Sequence, residues 1–159
     1  MDCPSCGAPL RLNDNGDFLR CEYCRTVYTP PQNDEGVRPL GEVSPLACPI
    51  CKVPLEQAAL GGRRILYCRT CQGILLPMED FLGITEELRV EHPRAHAIQP
   101  AVDRGELQRH IECPQCHQRM DTHMYEGPGN IVIDDCSRCA LDWLDKGELM
   151  KVARAPGRG

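Results

Sequence analysis

Apolar residues come in short bursts along this chain. Phe18-Leu19, Ile65-Leu66-Tyr67 and Ile131-Val132-Ile133 are β-prone, and each follows a cluster of turn formers. Those clusters are Asn13-Asp14-Asn15-Gly16, Gly61-Gly62 and Gly127-Pro128-Gly129-Asn130. Gly, Asn and Asp tolerate the positive φ that tight hairpins need, so the pattern predicts three hairpins. One longer segment is different. Residues 77–91 place Phe81, Ile84 and Leu88 on one helical stripe behind a proline, which predicts a helix. A short motif also recurs. Asp103-Arg104-Gly105-Glu106-Leu107 resembles Asp145-Lys146-Gly147-Glu148-Leu149, and in each an Asp is placed to cap a helix while Glu reaches back three residues. Short helices are expected near 104–111 and 146–154. Residues 29–47 hold four prolines and little periodicity, which predicts a semi-extended linker.

These elements offer little to build a common core. Aromatics make up 4% of the 159 residues, and Phe and Trp together number three. A domain below about 40 residues usually needs a disulfide, a metal or a partner to stay folded. The twelve cysteines are the candidates for that support. Residues 1–20 show no signal-peptide pattern, and no stretch approaches the roughly 20 apolar residues of a membrane span. The expected compartment is therefore the cytoplasm, where thiols stay reduced and closely paired cysteines read as metal ligands.

The cysteines form six Cys-x-x-Cys knuckles that pair across the predicted hairpins. Cys3 and Cys6 go with Cys21 and Cys24. Cys48 and Cys51 go with Cys68 and Cys71. Cys113 and Cys116 go with Cys136 and Cys139. The gaps are 14, 16 and 19 residues, and no cysteine is left over. Each hairpin would bring four sulfurs around one tetrahedral ion, and zinc is the expected metal. A site made of four cysteines leaves no position for water or substrate, so the three zinc ions are expected to be structural. Each such site adds two negative charges, so three of them lower the formal net charge from −5 to about −11. That argues against a general affinity for phosphate backbones.

Other chemistry is sparse. His92 and His96 have a metal-pair spacing, but Pro93 lies between them, and they read as solvated linker histidines. His117 follows Cys116 directly and reads as a knuckle surface residue. Arg63 and Arg64, beside the Gly61-Gly62 turn and with Lys52 and Arg69 in the same unit, are a local hint of phosphate contact. An exposed turn with solubilising charge is the favoured reading. Trp143 and Leu144 are expected to pack the last helix against its hairpin. No thioredoxin-like βαβ setting surrounds the knuckles, which speaks against dithiol redox catalysis, and nothing in the sequence favours a zinc-release redox switch over a static site. No Ser-His-Asp or Cys-His arrangement lies outside the metal sets.

Residues 113–150, CPQCHQRM…IVIDDCSRCALDWLDKGELM, resemble the TFIIB-type zinc-ribbon family of bacterial proteins. The family pattern is a Cys-Pro-x-Cys knuckle, a hairpin, then Asp-x-Cys-x-x-Cys-x-Gly-x-Trp-Leu-Asp-x-Gly-Glu-Leu. Cys113, Cys116, Cys136 and Cys139 fall on its ligand positions, and Trp143, Leu144, Asp145, Gly147, Glu148 and Leu149 on its tail. Leu141 stands where the family usually has Gly. Residues 48–82 resemble a diverged copy, with Gly73 in place, Leu75 for Trp and Pro77 for the capping Asp. Residues 1–28 are similar to a generic short zinc ribbon. The resemblance implies a fold more strongly than a function.

The expected fold is a small metal-stabilised α+β arrangement of three zinc ribbons joined by linkers and short helices. Its divisions are ribbon one at 1–28, the linker at 29–47, ribbon two with its helix at 48–91, a connector at 92–112 and ribbon three with a C-terminal helix at 113–159. Ribbon one is expected to be tethered loosely. The expected function is non-enzymatic: a zinc-binding adaptor whose ribbons mediate protein–protein interaction. The alternative is a nucleic-acid-binding or transcription-associated factor. A rubredoxin-like iron electron carrier is a remoter one, disfavoured because only Cys6 is followed by Gly and the units are aromatic-poor.

Overall fold

The computed structural model describes residues 1–13, 18–91 and 101–155. It is a small α+β structure in which the strands of the described residues form two antiparallel sheets. The first holds β1 (Leu10–Leu12), β2 (Leu19–Cys21) and β3 (Val27–Tyr28), in that order. The second has seven strands. They are β4 (Arg38–Ala47), β5 (Pro54–Leu60), β6 (Arg63–Tyr67), β7 (Ile74–Pro77), β8 (Asp121–Met124), β9 (Val132–Cys136) and β10 (Leu141–Leu144). Across the sheet the order is β4-β5-β6-β7-β10-β9-β8. Among the described residues three helices accompany it: α1 (Phe81–Glu91), entered through a 3-10 turn at Met78–Asp80, α2 (Arg104–Gln108) and α3 (Glu148–Arg154).

The turn chemistry acts where the sequence places it. Gly61 and Gly62 have φ of 55° and 71°, and Leu60 pairs with Arg63 across this two-residue loop. Two consecutive positive φ values are what a hairpin matching the strand twist requires. Between β8 and β9, Gly129 and Asn130 take φ of 121° and 52°. At the first hairpin the Asn13 and Phe18 backbones are joined by a 3.0 Å hydrogen bond. The rest of that turn, residues 14–17, lies outside the described residues.

Each unit also sends a strand out of its second knuckle, and in two units those strands meet. β7 and β10 pair antiparallel, with Leu75 opposite Trp143. Each of these residues stands four positions after the last cysteine of its unit. The β7–β10 pair thus has a local two-fold relation, and the second and third units share one sheet: they join through paired strands, where the sequence offered the 77–91 and 104–111 helices for that contact. Alternation along the strands then divides two cores. Ile74, Leu76 and Leu144 face a helix-covered layer with Phe81, Ile84 and Leu88 of α1 and Leu149, Val152 and Ala153 of α3. Leu75 and Trp143 face the opposite side, among Leu55, Ile111, Met120 and the cysteines. Trp143 and Leu144 therefore lie on a strand and on opposite faces, and only Leu144 reaches the helices.

The expected linker 29–47 is corrected in its second half, because residues 38–47 form β4 at the edge of the large sheet. Pro39 and Pro45 obscured it. A missing N–H is tolerated on an edge strand, and the register shifts between Pro39 and Val43 and between Val43 and Ala47. The approach to β4 is fixed by Asn33, whose Oδ1 accepts from the Glu35 and Val37 N–H groups at 2.9 and 3.0 Å. The first unit keeps a small core of its own: Cys3, Leu10, Leu19 and Cys21, with Ala8, Leu12 and Tyr28 against them.

Candidate metal centres

Each knuckle turns the chain sharply, and one backbone feature does it six times. The residue after the second cysteine takes a left-handed conformation in every case: Gly7, Arg25, Lys52, Gln72, His117 and Ala140, with φ between 54° and 77°. For a non-glycine residue that conformation is unfavourable. Here it lets the N–H at that position reach back to the first cysteine's carbonyl. Gly7 to Cys3, Lys52 to Cys48, Gln72 to Cys68 and His117 to Cys113 bond at 2.8 to 3.0 Å. A second backbone bond closes the loop from outside, as in Cys48 N–H to the Val53 carbonyl at 2.7 Å and Cys113 N–H to Gln118 at 2.8 Å. N–H groups also aim at sulfur. Ile50 and Cys51 donate to Cys48 Sγ at 3.4 and 3.3 Å, and Cys24 donates to Cys21 Sγ at 3.5 Å.

The knuckles meet in pairs across the hairpins. All twelve cysteines are free thiols, and in each unit four sulfurs lie within 4.8 Å of one another. Cys3–Cys24 and Cys6–Cys21 are 3.5 Å apart, Cys48–Cys71 3.7 Å and Cys116–Cys136 3.6 Å. A disulfide would need about 2.05 Å. Four sulfurs at about 2.3 Å from a central ion are about 3.8 Å apart in a tetrahedron. The donor set and its spacing therefore fit a metal ion in each unit.

Electrostatics point the same way. Four sulfurs this close cannot all carry charge without a cation among them, so their proton affinities split. In the first unit the Thr26 hydroxyl, 3.0 Å from Cys24 Sγ, and the Thr26 N–H hold Cys24 down at about 6. An N–H from Ala8 pulls Cys6 down, yet desolvation and the neighbouring sulfurs push it up to about 12. In the third unit the Gln118 N–H lowers Cys116 to about 7, while burial and the other sulfurs push Cys139 up to about 12. In the second, burial raises Cys48 and Cys71. Burial also pulls Cys68 upward, but N–H groups of Cys71 and Thr70 outweigh it and lower it.

The two centres of the large sheet flank one side chain. Trp143 is fully buried between them, in a cluster that includes Cys48, Cys68, Cys113 and Cys136. Its ring lies directly on Gly73, where a Cβ would come within 2.2 Å of Cζ2. Trp143 Nε1 donates to Asp145 at 3.3 Å, and Asp145 also takes Arg109 at 2.8 Å. The same guanidinium reaches buried Asp134 at 3.0 Å, which accepts the Thr122 hydroxyl as well. Burial raises the Asp134 pKa against those partners. Sequence reasoning missed Arg109 and Asp134, because nothing local marks residues 25 apart as partners.

The recurring Asp-x-Gly-Glu-Leu motif divides its roles. Asp103 caps α2 through the Gly105 N–H at 2.8 Å. Asp145 does not cap α3 with its side chain. Glu148 instead accepts from the Asp145 N–H at 2.8 Å, the reach-back half of the expected box. Glu148 is buried and its pKa is raised to about 9, by burial and then by Glu106 beside it. Carboxylate oxygens of Glu106, Asp145 and Glu148 gather within 4.8 Å, but Arg109 already supplies a positive charge there.

The remaining candidates separate. Arg63 is anchored to Asp80 at the start of α1, 3.2 Å from its carboxylate, and occupies the space Gly83 leaves open. Arg64 is exposed near Arg11 and Glu42. Lys52 sets the knuckle turn, and Arg69 pairs with Glu56, leaving no joint basic tip. His117 is exposed with its backbone in the knuckle. His92 and His96 lie outside the described residues. Among the described residues no helix is long and apolar enough to cross a membrane. Compared with protein-family models, curated proteins and solved structures, the chain matches none.

Proposed function

We propose that this chain is a non-enzymatic zinc-binding adaptor of the TFIIB-type zinc-ribbon class, acting in the cytoplasm. The observation that carries the reading is the set of six knuckles whose sulfurs gather in fours within 4.8 Å, with pairs across each hairpin at 3.5 to 3.7 Å. A site of four thiolates is saturated. It has no open position at which water or substrate could be activated, so the metal acts by holding strands and knuckles in place. Zinc is preferred to iron because the chain is aromatic-poor and only one knuckle carries the following Gly.

Function then falls to the surfaces the metal supports. Tyr23 on a knuckle of the first unit is 84% exposed, and Ile50 within a knuckle of the second and Val53 just after it are exposed too. Apolar side chains held out on rigid knuckles suit contact with another protein. The nucleic-acid alternative is weaker, since Arg63 is committed to Asp80 and the zinc-loaded chain is strongly acidic. The test is elemental analysis of protein made without excess metal, with three equivalents of zinc expected. An iron protein would be red. Purification from the native host should bring down a defined protein. Steeply salt-dependent binding to DNA or RNA, weakened by Arg64→Ala, would overturn the adaptor reading.

A further inference from the structure

The three centres are not equally protected. In the large sheet the second cysteine of every knuckle, Cys51, Cys71, Cys116 and Cys139, is half-buried and packs against the cluster around Trp143 and Leu75. In the first unit the corresponding Cys6 and Cys24 are exposed and belong to no apolar cluster. Cys3 and Cys21 lie beneath them in a core of short strands. Each exposed sulfur has a buried one of the opposite knuckle 3.5 Å away, Cys6 with Cys21 and Cys24 with Cys3.

We propose that the first unit is a thiol-modification site, a zinc centre opened by hydroperoxides while the other two persist. The proposal rests on the metal reading above. An exposed thiolate, Cys6 or Cys24, attacks the O–O bond of the hydroperoxide. A sulfenic acid forms, and the other oxygen leaves and takes up a proton. The opposite cysteine's sulfur then attacks the sulfenic sulfur, the S–S bond forms, and hydroxide departs as water. Two thiolates are oxidised by two electrons in all, and one hydroperoxide is reduced to an alcohol and a water, or to two waters where it is hydrogen peroxide. The two thiolates that remain are too few to hold the ion and take up protons as it leaves. A thiol reductant returns the ligands. Selectivity follows from access: an oxidant meets Cys6 and Cys24 directly, whereas the packing around Trp143 buries four of the other eight sulfurs and half-covers the remaining four.

The experiment uses the intact zinc-loaded chain. Zinc content is measured first. Hydrogen peroxide is then added and zinc release is followed with a chromogenic chelator. Free thiols are alkylated at partial release, and disulfides are mapped by mass spectrometry. One equivalent is expected to leave on the order of tenfold faster than the other two, with the disulfide confined to Cys3, Cys6, Cys21 and Cys24. Reduction with added zinc should restore it. A chain whose first unit holds no zinc at the outset sinks the metal reading of that unit and this proposal with it. A chain that holds three and releases them together, or is oxidised first in the large sheet, overturns this proposal alone.

Discussion

Gly73→Ala tests whether Trp143 is what joins the second and third units. The backbone at Gly73 needs no positive φ, so the cost of the substitution is steric. A Cβ there would lie 2.2 Å from Trp143 Cζ2, 2.5 Å from Cη2 and 3.0 Å from Cε2. Carbon atoms settle at about 3.5 to 4.0 Å, so the ring would have to retreat by more than about 1 Å. It has little room. It is fully buried among cysteines of two centres, and its Nε1 is tied to Asp145. Overpacking of this kind costs about 1–3 kcal/mol, and the rigid surroundings put Gly73→Ala near the upper end. Trp143→Leu removes the obstacle, at its own cavity cost of about 2–4 kcal/mol. Denaturant unfolding of the zinc-loaded wild type, both single variants and the double variant forms a complete cycle. In the Trp143→Leu background, Gly73→Ala should cost less than about 0.5 kcal/mol. An equal cost in both backgrounds would show that the ring on Gly73 is not the constraint, and the account of the interface would fall.

Other perturbations address other parts of the molecule. Cys136→Ser should reduce bound zinc from three equivalents to one, because the third unit shares its sheet with the second, and retained hairpin amide protection in the variant would contradict this. Arg109→Ala strips the charge partner from buried Asp134 and should cost about 3 kcal/mol in a denaturant melt, with Asp134→Asn recovering part of it. Glu148 has a folded pKa of about 9 against an ordinary 4.5, so its contribution is full below pH 4.5 and is lost as pH rises through about 9. Glu148→Gln keeps an acceptor for the Asp145 N–H and should be stabilising by about 4 kcal/mol at pH 8 and near neutral at pH 4, which melts at the two pH values would read.

What the sequence made legible was local. Knuckle spacing, the Gly61-Gly62 turn, the stripe of Phe81, Ile84 and Leu88 and the reach-back of Glu148 all depend on residues close together in the chain. The pairing of β7 with β10 was not legible. Ile74-Leu75-Leu76 and Leu141–Leu144 are short, and neither carries a signal naming a partner some 65 residues away. β4 was hidden by its prolines, which describe a linker as well as they describe an irregular edge strand. The motif allows Asp145 to cap α3, but Trp143 and Arg109 compete for its oxygens and win.

Two of the three places where the chain departs from the pattern it resembles, Leu141 and Leu75, gain a joint explanation from the local two-fold relation of β7 and β10. Gly73 and Leu141 are equivalent positions, and so are Leu75 and Trp143, which face each other in the ladder. The tryptophan of the third unit lies across the glycine of the second, and the glycine is required because the ring leaves no space for a Cβ. By the same operation the leucine of the second unit is set toward position 141. A leucine side chain is shorter than an indole, so position 141 tolerates Leu where position 73 cannot, and Leu141 does pack into the same cluster. Trp with Gly on one side and Leu with Leu on the other fill one interface with complementary volumes. Leu141→Gly should therefore destabilise the sheet by removing a packed side chain, while Leu75→Trp should be tolerated only when Leu141→Gly accompanies it. Denaturant melts of the three variants would decide it, and a Leu75→Trp single variant as stable as the wild type would break the argument.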